Sequence, residues 1–477
     1  MSIEKQTSPK PISENPNIIF IMADDMGYGD LGCYGATRIP TPNMDRVANE
    51  GMRFVDAHSS SAVCTPSRYS VLAGRYCWRS VRKRGVGGGF SLPLIDPART
   101  TVASLLKGHG YATAAVGKWH LGLEWQAKEG QTIQPETWPD EGKVDYSKPV
   151  IGGPTRLGFD YFFGIAGSLD MPPYCFIEND RTVGIPTEEK IPYNPQQRKG
   201  FMTQGWKDEE VDINFARKAV NFIEQQQKEN SEQPFFLYLT PSAPHRPCMA
   251  PDFLKGSSQA GSRGDMVCVV DWVVGQITGT LDRLNISDNT LLIITSDNGA
   301  RPCDVDGETY GHKSCGDLRG FKADIWDGGH REPFIVRWPN KIEPGSTSDE
   351  TICLSDLMAT CGDIVGTELS ENAGEDSHSI LPAFLDEPHE PIREGIVHHS
   401  LDGMFSIRQG PWKLILGRGS GGFSQPRRID PEPGEPRGQL YNMEKDPAET
   451  NDLWSEQPQI VERLTALLDK YKQQGWS

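Results

Sequence analysis

Between about residues 17 and 385, short apolar runs alternate with stretches whose apolar residues recur every three or four positions. Residues 17–22, 111–116, 234–240, 290–295 and 333–338 are runs of the first kind, and they predict strands buried on both faces. Residues 101–108, 211–227 and 265–284 are of the second kind. In 211–227, Val211, Phe215, Phe222 and Ile223 fall near helical spacing. Strands and helices in alternation predict an α/β fold with helices on both faces of a sheet, and the 333–338 run is expected to close that sheet. After about residue 385 the pattern changes. Residues 395–399, 404–409 and 412–416 predict short antiparallel strands, a Gly/Pro-rich stretch covers 417–438, and an amphipathic helix is expected over roughly 455–473. The expected organisation is a polar tail at 1–16, a main domain at 17–385 and a C-terminal α+β subdomain at 386–477.

The chemically distinctive residues cluster just past the last apolar residue of a strand. Asp24 and Asp25 follow the first run, Lys118 and His120 the second, His245 the third, and Asp297 and Asn298 the fourth. Ligands of open α/β sheets bind beyond the carboxyl ends of the strands, so these distant segments are expected to converge on one crevice.

Composition narrows the possibilities. With 36% hydrophobic and 24% charged residues and no long apolar run, the chain is a globular one without a membrane span. Its 477 residues suggest two or three structural units. The net charge of −17 argues against a nucleic-acid partner, and it requires that any pocket for an anion be locally basic. The ten cysteines lack C-x-x-C pairs; Cys303 and Cys315 could bridge a loop, which the sequence leaves open. The first ten residues are polar, without the apolar core of a signal peptide. A cytoplasmic protein is expected if the chain is complete as written, a periplasmic or secreted one if a signal peptide was removed.

The densest signal is Cys64-Thr65-Pro66-Ser67-Arg68, with Gly74-Arg75 shortly after. C-x-P-x-R is the recognition pattern for oxidation of a cysteine to formylglycine. Thr65-Pro66-Ser67 reads as a helix start with proline near the first helical position, so free N–H groups face an anion and Arg68 lies one turn on. Asp24, Asp25, Asp297 and Asn298 form an all-oxygen set suited to one hard divalent cation, calcium rather than zinc, since no histidine or thiolate pair accompanies them. Lys118 and His120, two apart, share a face if their segment stays extended.

The whole segment 61–75 closely resembles the signature of the type I, formylglycine-dependent sulfatases of the alkaline-phosphatase-like superfamily. Lys118-Trp119-His120-Leu121-Gly122 resembles that family's second signature, and residues 440–450 its closing motif. The run 322–331 is similar to bacterial carbohydrate sulfatases and to the arylsulfatase A/N-acetylgalactosamine-6-sulfatase group. The resemblance implies a large mixed sheet flanked by helices on both faces, with a smaller C-terminal antiparallel-sheet subdomain and a terminal helix. It implies hydrolysis of sulfate monoesters, most readily an O-sulfate on a saccharide, by a formylglycine hydrate made from Cys64 beside one Ca2+. A hydrated aldehyde has two hydroxyls on one carbon: one attacks sulfur, and deprotonation of the other ejects sulfate. In the same resemblance Arg68 holds the hydrate, His120 is the base that collapses it, His245 protonates the leaving alcohol and Lys322 clamps sulfate. The cation ligands are Asp24, Asp25, Cys64, Asp297 and Asn298. A formylglycine-generating enzyme is the implied partner.

Specificity is expected from loops 161–174 and 301–317 and from the C-terminal subdomain, with His312 and Arg319 as candidate substrate contacts. The basic run Arg75, Arg79, Arg82, Lys83 and Arg84 reads either as a polyanion face or as a solvated one, and Trp78 and Trp119 either stack on a sugar or pack. Two alternatives stay open: a phosphonate or phosphate monoester hydrolase of the same superfamily, and an unmatured, inactive protein that binds sulfated glycan.

Overall fold

Every residue of the Asn17–Ala23 strand is buried. Its alternation explains why: Ile18, Phe20 and Met22 enter one hydrophobic core and Ile19, Ile21 and Ala23 another, so the strand is covered on both faces. The computed structural model describes residues 15–134, 141–301 and 310–477. In it this strand is central to a ten-stranded sheet. The Asn17–Ala23 strand pairs in parallel with Phe235–Thr240 on one side and Thr290–Ser296 on the other. Ala112–Lys118 and then Tyr161–Ile165 extend the parallel array beyond Phe235–Thr240.

Helices cover both faces. Val211–Glu229 and Gly261–Leu284 contribute Phe215, Ile223, Val270 and Ile277 to one core. Val102–Gly108, Leu357–Ile364 and the Cys64–Ala73 helix contribute to the other. All ten residues of Cys64–Ala73 are buried, so this helix has no solvent face. Gly74 ends it at φ 59°, donating its N–H to Ser70 O, a left-handed cap that glycine adopts without strain.

The sheet differs from the sequence expectation at both ends. Phe334–Arg337 does not close it: that strand runs antiparallel to Thr290–Ser296, and Met52–Phe54 and Ser346–Ser348 lie beyond it. Those two strands have three residues each, too short for a periodicity to register. The stretch 161–174 is not wholly a loop, because Tyr161–Ile165 is a strand of the main sheet. Residues 1–14 and Cys303 lie outside the described residues. Cys315 is a free thiol that donates to Gly328 O at 3.2 Å.

The strands Ile396–His399, Phe405–Gln409, Trp412–Ile415 and Gln439–Asn442 form a separate antiparallel sheet. The Pro458–Gln474 helix lays Leu464, Leu468 and Tyr471 on it, in a core that Tyr76 and Trp78 also enter. The Ile396–His399 strand runs beside the residues preceding Cys64: Ala62 N donates to His399 O at 3.1 Å and His399 N to Ser60 O at 3.2 Å. Buried charges tie the two sheets as well. Lys413 donates to Asp327 at 2.7 Å and pairs with Glu449 at 2.8 Å, all fully buried. Arg408 donates to Asp56 at 2.7 Å. Trp119 packs in the core, its Nε1 donating to Gly122 O. Arg79 stacks on Trp78 and pairs with Asp376, and Arg75 pairs with Glu375, so these members of the basic run are bound internally. Among the described residues no helix is long and apolar enough to cross a membrane.

Removing one partner of a buried ion pair strands the other charge. Lys413→Met, which leaves Asp327 and Glu449 without their shared cation, is expected to cost about 3 kcal/mol of stability. Urea unfolding at pH 8 measures it, and a midpoint equal to that of the parent would show that the cluster holds nothing.

Candidate active site

The carboxyl ends of four parallel strands deliver the site. Asp24 and Asp25 follow Ala23, Lys118 ends its own strand, His245 lies shortly past Thr240, and Asp297 and Asn298 follow Ser296. The Cys64–Ala73 helix points its first residue at them from the second core, and Lys322 arrives on the loop after residue 310. Three of these segments adopt left-handed backbone at non-glycine residues: Asp25 at φ 69°, His120 at φ 57° and Ala323 at φ 79°. Such conformations cost free energy and persist where the surroundings hold them, commonly at functional sites.

Arg68 lies one turn after Cys64 and is fully buried. Its Nε and Nη2 reach Asp297 Oδ2 at 2.8 and 2.7 Å, and its Nη1 donates to Lys118 O at 2.9 Å. Lys118 Nζ donates to Asp24 Oδ2 at 2.6 Å. Lys322 Nζ donates to Asp25 at 2.7 Å and lies 3.5 Å from Cys64 Sγ. Asn298 Nδ2 donates to Asp25 Oδ1 at 2.7 Å. Oxygens of Asp24 and Asp297 and the Cys64 sulfur all lie within 4.8 Å of one another, as do Asp24, Asp25 and His245 ligand atoms. The structure therefore gathers Asp24, Asp25, Cys64, Arg68, Lys118, His245, Asp297, Asn298 and Lys322 in one buried cluster.

His120 sits at its margin. The strand ends at Lys118, and the turn to positive φ at His120 means that the two side chains do not share an extended face as expected. The imidazole Nε2 instead faces Gly87 O at 2.8 Å, while Thr65, next to Cys64, donates to His120 O. With Nε2–H donated, Nδ1 carries the lone pair, and it is buried without a partner. Burial, then Lys118 and Arg68, hold His120 well below the ordinary histidine range, so it is neutral. Burial and Lys322 likewise push His245 down to about 3. Its Nδ1 lies 2.9 Å from Arg246 O, which leaves Nε2 facing Asp25 at 3.7 Å.

Burial pushes the Cys64 thiol up to about 11, which Lys118 and Lys322 only partly offset. An unmodified thiol here stays protonated at neutral pH and is a poor nucleophile. Burial would raise Asp25, but Lys322, His245 and Lys118 outweigh it and hold the carboxyl below the usual range. Asp297 goes the other way: burial and the neighbouring Asp24 and Asp25 charges outweigh Arg68 and raise it. Three crowded carboxylates of this kind suit a divalent cation. The donor set agrees, since Asp24 Oδ1 and Asn298 Oδ1 are buried oxygens with no hydrogen-bond donor.

Two expected substrate contacts are engaged elsewhere. His312 Nε2 lies 2.8 Å from buried Asp30 and its side chain is 7% exposed. Arg319 stacks on Trp326 at 3.7 Å and donates to Tyr441 Oη and Glu449 O. In the structure both side chains are therefore held by internal partners. A supporting residue absent from the sequence reading is Arg263, which donates to Asp25 O at 2.8 Å and pairs with Asp30 at 2.6 Å. Its signal in the sequence is an arginine at the start of a long, largely apolar helical stretch, and its burial comes only with the fold.

Strand-end carboxylates, buried lysines and the N-terminus of the Cys64 helix thus converge on one buried site beyond the carboxyl ends of a parallel sheet. A family model described as Sulfatase matches residues 16–367. The chain belongs to the sulfatase family, and it is a sulfuric ester hydrolase. It is 36% identical to the N-acetylgalactosamine-6-O-sulfatase of Bacteroides thetaiotaomicron, over 96% of this chain and 94% of that one. It is 33% identical to the N-acetylgalactosamine-6-sulfatase of Sus scrofa, over 79% and 67% of the two chains. Among solved structures, one described under the metabolism of multiple glycosaminoglycans by Bacteroides thetaiotaomicron superposes with a TM-score of 0.84 at 34% identity, covering 97% of this chain and 100% of that one. Ps i-CgsB in complex with k-i-k-neocarrahexaose superposes with a TM-score of 0.71 at 25% identity, over 96% and 93% of the two chains.

Two outcomes follow from these buried charges. Arg68→Gln removes the paired cation from Asp297 and is expected to cost about 3 kcal/mol in thermal or urea unfolding at pH 7. His245 binds its proton more weakly when folded than when unfolded, so its stabilising contribution is complete above about pH 6.5 and is withdrawn as pH falls toward 3. Unfolding free energy should therefore drop through that window, and His245→Gln should make the slope shallower by up to about 1.4 kcal/mol per pH unit. An unchanged slope would mean that the imidazole is already charged in the folded protein.

Proposed function

We propose that the protein hydrolyses an O-sulfate monoester on a saccharide, using formylglycine produced from Cys64 by a formylglycine-generating enzyme and one Ca2+. The single observation that carries this reading is the placement of Cys64 against Lys322, within 4.8 Å of Asp24 and Asp297, at the N-terminus of a buried helix. The pattern of its segment and the high pKa of the thiol both favour a modified residue over a thiolate nucleophile. Asp24, Asp25, Asp297 and Asn298 would hold the cation, which when bound acidifies the nucleophile and screens the charge of the ester. The saccharide class is supported by the names of the relatives, N-acetylgalactosamine-6-O-sulfatase and N-acetylgalactosamine-6-sulfatase.

The chain's own residues then have these parts. Once Cys64 is an aldehyde, its hydrate supplies the hydroxyl that attacks sulfur and the second hydroxyl whose deprotonation releases sulfate. Lys118 and Lys322 are the cations placed to meet the sulfate oxygens, each ammonium having N–H donors beyond the ones that hold Asp24 and Asp25. Arg68 fixes Asp297 and the Lys118 carbonyl, so the cation ligand and the sulfate-binding strand end are set by one side chain. His120 accepts a proton at Nδ1, the nitrogen left bare by the Gly87 contact. His245 has its Nε2 toward the cluster and bare in its neutral form, so it can donate there only after gaining a proton, which an arriving sulfate dianion-like transition state favours.

The test is to co-produce the protein with a formylglycine-generating enzyme and to measure free sulfate and phosphate by ion chromatography from matched sulfated and phosphorylated sugars. Sulfate alone is expected, lost in Cys64→Ala by at least about a thousandfold, lost on chelation and restored by Ca2+. Phosphate release without sulfate, or full turnover by Cys64→Ala, would overturn the proposal.

A further inference from the structure

His245 lies on a loop past the Thr240 end of its strand, and a loop needs a separate anchor to hold a side chain in one place. The anchor is Asp212, buried in the first turn of the Val211–Glu229 helix. Its Oδ1 accepts from Ser242 N at 2.7 Å, its Oδ2 from Ser242 Oγ at 2.8 Å, and Ala243 N donates to the same carboxyl. His245 N in turn donates to Ser242 O at 3.1 Å, closing the turn that carries the imidazole. The helix cannot follow a shift of that turn, because Val211, Phe215, Ala219 and Ile223 seat it in the core.

The same turn touches the strand end that carries the first carboxylates. Asp24 N donates to Ala243 O at 3.0 Å, and Asp24 pairs with Pro244 in an isolated parallel bridge. Asp25, the next residue, faces His245 Nε2 at 3.7 Å. Ser242 and Ala243 therefore lie between the helix on one side and Asp24 on the other, and the spacing of His245 from the carboxylates is set there. A carboxylate is a costly group to bury at that point. Burial pushes Asp212 up to about 6, the donors on Ser242 offsetting part of the rise, and its partners are backbone and hydroxyl groups rather than a cation. An apolar residue would be easier to bury, but it could not accept hydrogen bonds from the turn.

We infer that Asp212 is a positioning residue that holds the Ser242–His245 turn so that His245 Nε2 meets the leaving alcohol. This rests on the acid role given to His245 above. As the S–O bond to the sugar breaks, its electron pair stays on the oxygen and the proton of His245 Nε2 joins it, leaving a neutral imidazole. A sugar alkoxide needs that proton, whereas a nitrophenolate, a much weaker base, leaves without it. Displacing the turn therefore penalises a sugar ester and spares an aryl ester, while a general loss of structure penalises both.

The experiment uses the matured enzyme and two esters, 4-nitrophenyl sulfate and a sulfated N-acetylhexosamine, with His245→Gln as the reference. That variant is expected to lower kcat for the sugar about a hundredfold and for the aryl ester far less. Asp212→Ala is expected to lower kcat for the sugar about tenfold, with KM and the aryl kcat within about twofold of the parent. Asp212→Asn, which keeps an oxygen for the backbone donors, should recover most of the loss. Added to His245→Gln, Asp212→Ala should cost nothing further on the sugar. Ser242→Ala, which removes only the hydroxyl bond, should show the same selectivity at about threefold, and it carries the test if Asp212→Ala does not fold. Equal losses on both esters in either turn variant, or a parental kcat on the sugar in folded Asp212→Ala, would overturn the positioning role alone. Equal losses on both esters in His245→Gln would overturn the acid role, and the inference with it.

Discussion

The site depends on how much charge can be kept inside a sheet-based core without water. Asp24, Asp25 and Asp297 stand together at two adjoining strand ends, with Arg68, Lys118 and Lys322 among them, all nearly or wholly buried. Removing six such groups from water is costly, and only mutual pairing at hydrogen-bond distance offsets it. That pairing restricts the geometry: Arg68 is held by Asp297 and the Lys118 carbonyl, Lys118 by Asp24, Lys322 by Asp25. The arrangement is also unbalanced in a useful way. Asp297 remains raised and two oxygens lack donors, a donor set that would suit a divalent cation.

The two apolar cores give this cluster its rigidity. The parallel strands are covered on both faces, so their carboxyl ends cannot shift independently, and the Cys64 helix is buried all round. The price of this rigidity is local backbone strain at Asp25, His120 and Ala323, where the chain must turn sharply from scaffold into site. The C-terminal sheet adds a second support. Its Ile396–His399 strand runs beside residues 60–62, and the Lys413 and Arg408 clusters fasten it to the segments carrying Asp327 and Asp56. The C-terminal sheet therefore braces the residues that present Cys64.

Much of the architecture was legible from local pattern. The central strands and long helices carry unbroken apolar runs or clear helical spacing, and they occur within a few residues of where those patterns place them. The gathering of Asp24, Asp25, Cys64, Asp297, Asn298 and Lys322 was legible through their motifs and their positions after strands. Other features left no such trace. Met52–Phe54 and Ser346–Ser348 are too short to show a period, and Tyr161–Ile165 was hidden within a stretch read as a loop. His312 and Arg319 looked available because sequence gives nearness to Lys322 but not the partners, Asp30 and Trp326, that occupy them.

The amino-acid sequence by itself determined the chemistry that this protein carries: the C-x-P-x-R cysteine segment, the acid pairs after apolar runs, the lysines and histidines at their spacing. These are properties of residue type and local order, which short-range sterics and strand termini translate directly into position. Tertiary structure decided what those residues are worth. Which histidine nitrogen is bare, which carboxyl is raised and which arginine is engaged depend on partners distant in sequence, 33 residues for His120 and Gly87 and 229 for Arg68 and Asp297. Burial and charge pairing are set by the whole fold, and no local stretch of sequence contains them.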